Sequence, residues 1–363
     1  MVRKEITADR IYGIDILRAV ACIGIVLWHI YANGNYNFEW VILEKVIASF
    51  DYLVYLFMIL SGFAMFFSYY TKILQNNIRI QDFYIRRYKK IWPFFFCVVM
   101  LDMLVTATVD GVMEGILELT LLFGLLPNNS LDIVGVGWTL GVIFLFYIMF
   151  PFFCFLLCTK TSAWISLIAS IIIQFMCQIY FMTGDFVIEG YRNRSNFLFC
   201  MPYFIVGGII YLYLEEIKLF CRQNKKKIII ISSCITILYY NTPSVFGGYS
   251  LLEWKLMLLY CSWITVAISM NYKAKKIDLL QLLSKISMEI YLSHMIFYRL
   301  VTGVIGDKYK ISDVYRYCLT VLLVFLIMCL SIVVFNKILN SCIIKKVGNA
   351  RRNRWILKTR KRI

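Results

Sequence analysis

The sequence predicts an all-α fold: a polytopic membrane helical bundle with about ten transmembrane helices and one short re-entrant or interfacial segment. Composition supports this class, because 61% of the 363 residues are hydrophobic and only 16% are charged. Windows of about 20 apolar residues recur along the chain, and Lys and Arg concentrate in the short stretches between them. Soluble globular proteins lack this combination, so that class is excluded.

Ten apolar windows are assigned to transmembrane helices. A further apolar stretch, residues 115–126, is only about a dozen residues long and lies between Gly115 and Pro127. We therefore expect it to be re-entrant or interfacial. The ten windows cover residues 12–31, 46–70, 91–109, 134–158, 163–182, 196–214, 227–240, 252–270, 285–304 and 313–336.

The distribution of basic residues predicts the orientation of the bundle. If the N-terminus is inside, 29 of the 38 Lys and Arg residues fall in cytoplasmic segments. The loop 110–133 carries acidic residues and no Lys or Arg, as expected on the outside. The positive-inside rule therefore places both termini in the cytoplasm, and the net charge of +17 indicates topology and contact with the lipid bilayer.

The sequence predicts one membrane domain, residues 1–344, followed by a basic cytoplasmic tail, residues 345–363. We expect this tail to be attracted to anionic lipid, with nucleic-acid binding as the minor alternative. The 12 cysteines form no CxxC pair and no metal-ligand spacing, so they are interpreted as small core residues. No nucleic-acid partner and no metal is expected.

The first apolar window carries three ionisable residues, Asp15, Arg18 and His29. On a helix they lie within about 60° of one another, and Arg18 and His29 are about 16 Å apart along the axis. Arg18 could simply reach the membrane interface and pair with Asp15, while His29 lies among the headgroups. Three such residues on one face favour a cavity, since ionisable groups are costly in a membrane.

Histidines are rare in this chain, which has only His29 and His294, both within apolar windows. They are the first candidates for proton transfer near neutral pH. Two other motifs stand out. The pair Ser61-Gly62 is typical of close packing between membrane helices. A basic cluster, Arg86, Arg87, Lys89 and Lys90, either sets topology or binds an anionic cofactor.

Taken in order, these motifs resemble the acyltransferase-3 family of integral membrane acyltransferases. The order is I-D-I-L-R followed by His29, then L-S-G-F, R-R-Y-K-K-I-W-P, G-W-T-L and E-I-Y-L-S-H, and the resemblance extends from about Tyr12 to Val334. Its most specific part is a basic residue and a histidine with ten residues between them, matched by Arg18 and His29.

The resemblance implies transfer of an acyl group, commonly acetyl from acetyl-CoA, to a hydroxyl of a cell-surface or lipid-linked carbohydrate at the plasma membrane. In family terms Arg18 and His29 form the catalytic motif, and Arg87 and Lys90 match two basic positions of a cytoplasmic loop. The chain departs from the family at Lys90, where arginine is usual. Tyr55 and Ile143 also stand where many members have carboxylates.

From the residues and the resemblance together we predict the following site. His29 acts as a general base or transient acyl carrier, and Asp15 orients or neutralises Arg18. The basic cluster holds the phosphates of acyl-CoA, the donor substrate. His294 either lies near the acceptor path or makes a helix–helix hydrogen bond, and Trp138 and Tyr147 could instead be packing residues. The residues predicted to bind substrate are Ser61, Trp138, Tyr147, Glu289, Tyr291 and His294.

Two other classes of function stay open at this point. A transporter or flippase of a saccharide or acylated metabolite would line its path with the same polar face. A non-catalytic membrane scaffold would tolerate loss of His29. The sequence is also compatible with a homo-oligomer.

Overall fold

The computed structural model of the protein describes residues 11–38, 40–125, 134–187, 192–246, 249–270, 279–305 and 312–360. The described chain is almost entirely helical, so the all-α prediction is confirmed, with one antiparallel pairing of the short strands β1 (Val245–Phe246) and β2 (Tyr249–Ser250) as the exception. The helices are α1 (Tyr12–Asn33), α2 (Val41–Ser49), α3 (Leu53–Leu74), α4 (Ile80–Thr106), α5 (Val109–Leu119), α6 (Trp138–Leu156), α7 (Lys160–Met176), α8 (Phe197–Leu212), α9 (Leu214–Asn241), α10 (Leu252–Ser269), α11 (Leu279–Lys285), α12 (Ser287–Ile305) and α13 (Asp313–Arg360).

The predicted count of ten transmembrane helices is not confirmed. Within the described residues, six helical stretches are long and apolar enough to cross a membrane, or up to seven if α8 and α9, which meet at 71°, form one bent span. The six stretches are Tyr12–Asn33, Val41–Leu74, Trp138–Leu156, Lys160–Phe181, Leu252–Ser269 and Asp313–Leu339. The chain is therefore a multi-pass membrane protein.

The remaining predicted windows coincide with helices of mixed character. The window at 91–109 falls on α4, which carries a basic cluster at residues 86–90 just before the window and the buried Asp102 within it. The window at 285–304 falls on α12, which holds Glu289, His294 and Arg299. Charged side chains lower the mean hydropathy of these two helices. They are tolerated there because they face cavities or ion-pair partners inside the bundle.

The short segment predicted at 115–126 corresponds to the end of α5 and a single 3₁₀ turn at Phe123–Leu125, and residue 126 lies outside the described residues. Gly115 faces α4, where a Cβ atom would lie 2.4 Å from the sulfur of Met103. The apolar side of α5 is exposed. A re-entrant or interfacial position for this segment stays a prediction. At the other end of the chain, α13 continues to Arg360. The boundary at residue 344 stays a prediction.

Glycines allow the central helices to approach closely. A Cβ atom on Gly62 of α3 would lie 2.5 Å from the carbonyl oxygen of Phe204, and one on Gly207 of α8 would lie 2.3 Å from the carbonyl oxygen of Ile59. The sequence-based interpretation of Ser61-Gly62 as a packing motif agrees with this contact. Helix α1 packs against α3, α10, α11 and α12, so its polar residues face the interior of the bundle.

Candidate active site

The polar face of α1 opens into two separate spaces. The first, which we name the Arg18 cavity, has a volume of about 300 Å³. Its walls come from α1, α3, α4, α6, α11 and α12. The polar side chains that line it are Arg18, Ser61, Ser68, Arg87, Lys90, Thr139, Tyr147, Ser284, Lys285, Ser287, Glu289 and Tyr291.

The second space, the His29 pocket, has a volume of about 550 Å³. It shares no lining residue with the Arg18 cavity. Arg18 and His29 are eleven positions apart on α1, which corresponds to about 16 Å along the helix axis. The residues lining the His29 pocket are Trp28, His29, Ala32, Asn33, Asp51, Tyr52, Tyr55, Arg192, Asn193, Arg194, Phe199 and Glu253.

Near the Arg18 cavity, the first two ionisable residues of α1 are held by neighbouring helices. Asp15 is buried and accepts a hydrogen bond from the Ser284 hydroxyl at 3.3 Å. Arg18 donates from Nη2 to the carbonyl oxygen of Leu60 at 3.3 Å. The Arg18 guanidinium is therefore anchored by backbone of α3 while it lines the cavity.

The four residues of the basic cluster divide into two pairs. Arg87 and Lys90 line the Arg18 cavity and Arg86 and Lys89 do not, while Arg87 is half-buried and the other three are exposed. The reason is helical geometry, because residues three apart share a face and residues one apart do not. Of the four residues of the predicted phosphate site, Arg87 and Lys90 therefore face the cavity and Arg86 and Lys89 lie outside it. Phosphate binding by these residues stays a prediction.

Arg87 is held in place by aromatic residues. Its Nη2 donates to the hydroxyl of Tyr69 at 2.7 Å, and its guanidinium carbon lies 4.8 Å from the centre of that ring. The Tyr147 ring is 5.9 Å away on the cavity wall. The Nε atom of Arg87 is buried and has no hydrogen-bond partner among the described residues. Arg87 therefore presents a preorganised cation with donor capacity left for a ligand.

The two histidines of the chain meet. The rings of His29 on α1 and His294 on α12 lie with their centres 5.0 Å apart, and His294 is fully buried. The His294 Nδ1 atom lies 2.6 Å from the carbonyl oxygen of Tyr291. The Tyr291 hydroxyl lies 2.7 Å from the Thr139 hydroxyl and lines the Arg18 cavity. One turn of α12 thus links the cavity to the histidine pair.

The predicted substrate-binding residues separate into three groups. Ser61, Tyr147, Glu289 and Tyr291 all line the Arg18 cavity. Trp138 does not line it; instead, the guanidinium carbon of Arg194 lies 5.2 Å from the centre of a Trp138 ring. His294 lines neither space and contacts His29. Glu289 has one buried carboxylate oxygen, Oε2, with no hydrogen-bond partner within the described residues.

Sequence reasoning missed the charged residues of the His29 pocket. Arg194, whose side chain is 8% exposed, donates from Nη1 to Asp51 Oδ2 at 2.7 Å. Arg192 and Glu253 line the same pocket. A signal was present, since Arg192 and Arg194 are among the few basic residues that the orientation analysis places outside the cytoplasm. Lys285 of the Arg18 cavity was counted only as a topology signal.

Metal chemistry has no candidate site in the part of the chain that the structure describes, where no group of three or more His, Cys, Asp or Glu is placed to hold an ion. The expectation that no metal takes part stays a prediction.

The site thus lies in a multi-pass helical bundle, with cationic side chains lining one cavity and two histidines in contact beside it. The family model named Acyl_transf_3, described as an acyltransferase domain, matches residues 11–336. The chain therefore belongs to the acyltransferase-3 family and is a membrane acyltransferase. No curated protein and no solved structure matches it.

Proposed function

We propose that the protein transfers an acyl group from acyl-CoA to a hydroxyl of a cell-surface or lipid-linked carbohydrate at the plasma membrane. The acyl group that we propose is acetyl. The observation that carries the proposal is the arrangement along α1. A cationic cavity and a histidine-lined pocket lie at opposite ends of one helix, and the histidine pair is in contact with the turn of α12 that lines the cavity.

The charge of the Arg18 cavity suits coenzyme A. Arg18, Arg87, Lys90 and Lys285 outnumber the single carboxylate Glu289 among the charged residues lining it. Coenzyme A is polyanionic, and guanidinium and ammonium groups bind its phosphates. A volume of about 300 Å³ is at the small end of ligand pockets and does not hold the whole donor. In this proposal the nucleotide lies at the mouth of the cavity, and the acyl-pantetheine arm passes through it and extends along α1 until the thioester reaches His29.

This assignment sets the orientation of the molecule. Acyl-CoA is a cytoplasmic metabolite, so the Arg18 cavity opens to the cytoplasm and both termini lie on that side. The His29 pocket then opens toward the outer surface, where the carbohydrate acceptor is found. Its carboxylates, amides and aromatic rings can bind the hydroxyls and apolar faces of a sugar.

The reaction uses His29 as a general base. The acceptor hydroxyl oxygen attacks the thioester carbon, and the hydroxyl proton passes to His29. An O–C bond forms, the C–S bond breaks, and the departing CoA thiolate takes up the proton from His29, which restores the neutral base. The products are an O-acyl carbohydrate and free coenzyme A. Arg18 and the other cations bind the anionic donor throughout.

The test is acyl transfer from labelled acetyl-CoA in membranes that contain either the wild type or His29→Ala at equal abundance. We expect label in surface glycan with the wild type and a loss of at least about 100-fold in the variant, the usual contribution of a general base. Exposed Asn77→Ala serves as the control for expression and membrane insertion.

Equal transfer by wild type and His29→Ala would remove His29 from the reaction. Absence of transfer by both would contradict the donor or the acceptor. The transport hypothesis would then be tested by uptake of a labelled saccharide into proteoliposomes.

A further inference from the structure

His294 has a fixed hydrogen-bonding state in the bundle. Its Nδ1 lies 2.6 Å from the carbonyl oxygen of Tyr291, one turn earlier on α12. A carbonyl oxygen only accepts hydrogen bonds, so Nδ1 must carry the proton. In a neutral imidazole the other nitrogen, Nε2, then holds a lone pair and acts as an acceptor.

That acceptor is left without a donor. Nε2 of His294 is buried and has no hydrogen-bond partner among the residues that the structure describes. The whole residue is 0% exposed, so solvent does not satisfy it. An orphaned buried polar atom destabilises a fold. Retaining one where α12 contacts His29 of α1 points to a function for it.

The His29 ring can supply the missing donor. The two ring centres are 5.0 Å apart and the planes are inclined at 49°. An imidazole nitrogen lies about 1 Å from its ring centre, so a rotation of His29 that turns one nitrogen toward His294 Nε2 places the two nitrogens roughly 3 Å apart, the length of a hydrogen bond. His29 also lines the pocket that we assign to the acceptor.

We propose that His294 is a positioning residue whose Nε2 accepts the ring N–H of His29. This hydrogen bond keeps the proton of His29 on the nitrogen that faces His294. The second nitrogen of His29 therefore keeps its lone pair, and this nitrogen is directed at the acceptor hydroxyl. The catalytic consequence rests on the proposed function. The tautomer assigned to each histidine ring does not depend on any substrate. His294 is thereby reassigned from acceptor binding to control of the base.

Two substitutions separate this role from packing. In His294→Gln the side-chain amide reaches the former position of Nε2, where its oxygen can accept from His29. In His294→Asn the amide reaches only the position of Nδ1, so Tyr291 keeps a donor and His29 loses its acceptor. A role in packing affects both variants alike, and a role as the base itself abolishes activity in both.

The first readout is ¹⁵N magnetic resonance of the full chain in lipid bilayers, with ¹⁵N in the histidine rings and a purification tag that contains no histidine. The chain has two histidines, so each histidine variant reports His29 without overlap. We expect His294 protonated on Nδ1, and His29 in one tautomer in the wild type and in His294→Gln but in a mixture in His294→Asn. His294 protonated on Nε2, or an unchanged His29 tautomer in His294→Asn, would overturn the proposal.

The second readout is acyl transfer from labelled acetyl-CoA. We expect His294→Asn to lose about 100-fold in rate and His294→Gln to stay within about tenfold of the wild type. Equal losses in the two variants at equal thermal stability would contradict positioning. If the wild type transfers no label while the tautomers behave as expected, the proposed function fails and the histidine pair stands.

Discussion

The division of the basic cluster on α4 makes a sharp prediction about donor binding. Arg86 and Arg87 are adjacent and chemically identical, yet Arg87 lines the Arg18 cavity and Arg86 is exposed. We expect Arg87→Ala to weaken the binding of coenzyme A strongly and Arg86→Ala to weaken it little. Lys90→Ala and Lys89→Ala form a second pair, in which Lys90 lines the cavity and Lys89 does not; because both side chains are exposed, we expect a smaller difference between them.

The magnitude follows from the surroundings of each residue. A hydrogen bond between a charged group and a phosphate in a partly enclosed site contributes about 1.5–3 kcal/mol, which corresponds to roughly 10- to 100-fold in the dissociation constant. An exposed cation is screened by water and salt and contributes less than about 1 kcal/mol, or about fivefold. The effects of the two substitutions on the dissociation constant should therefore differ by at least about twofold and by up to about 100-fold.

The assay is equilibrium binding of radiolabelled coenzyme A to purified protein in lipid nanodiscs, which requires no acceptor. Arg87 also receives support from the Tyr69 hydroxyl at 2.7 Å. Tyr69→Phe removes that bond but keeps the guanidinium, and it therefore separates loss of position from loss of charge. Equal effects of Arg86→Ala and Arg87→Ala, or an effect of neither, would refute the assignment of the cavity to the donor.

Two further predictions concern stability, measured as thermal unfolding in detergent. Gly207→Ala should destabilise by about 1–3 kcal/mol, because its Cβ would lie 2.3 Å from the Ile59 carbonyl oxygen; the control Gly303→Ala, with nothing within 4 Å, should not destabilise. Arg194→Met leaves Asp51 without its 2.7 Å partner and should cost about 3 kcal/mol, while adding Asp51→Leu should recover part of that loss. Additive losses in that double variant would show that the two residues are not coupled.

Much of the architecture could be predicted from local pattern. Apolar length and composition predict a helical, multi-pass membrane protein, since a bilayer leaves a chain few other ways to satisfy its backbone. Helical periodicity predicts that Arg18 and His29 share a face of α1 and that Arg87 and Lys90 share a face of α4. These features depend only on residues that are close together in sequence. The geometry of a single helix is therefore sufficient to predict them.

The number of spans could not be predicted in the same way. Apolar windows at 196–214 and 227–240 coincide with α8 and α9, which meet at an angle of 71°. Hydropathy measures the composition of a window and contains no information on the direction of its axis. The packing of neighbouring helices sets such a bend.

The chemistry of the site depends on distances that no local pattern contains. His29 and His294 are 265 residues apart in sequence and 5.0 Å apart in space, and Asp51 meets Arg194 across 143 residues. Residue type and periodicity show which side chains face inward. Which of them meet, and whether they line one cavity or two, follows from the packing of α1 against α3, α11 and α12, because only packed helices bring distant residues to one point.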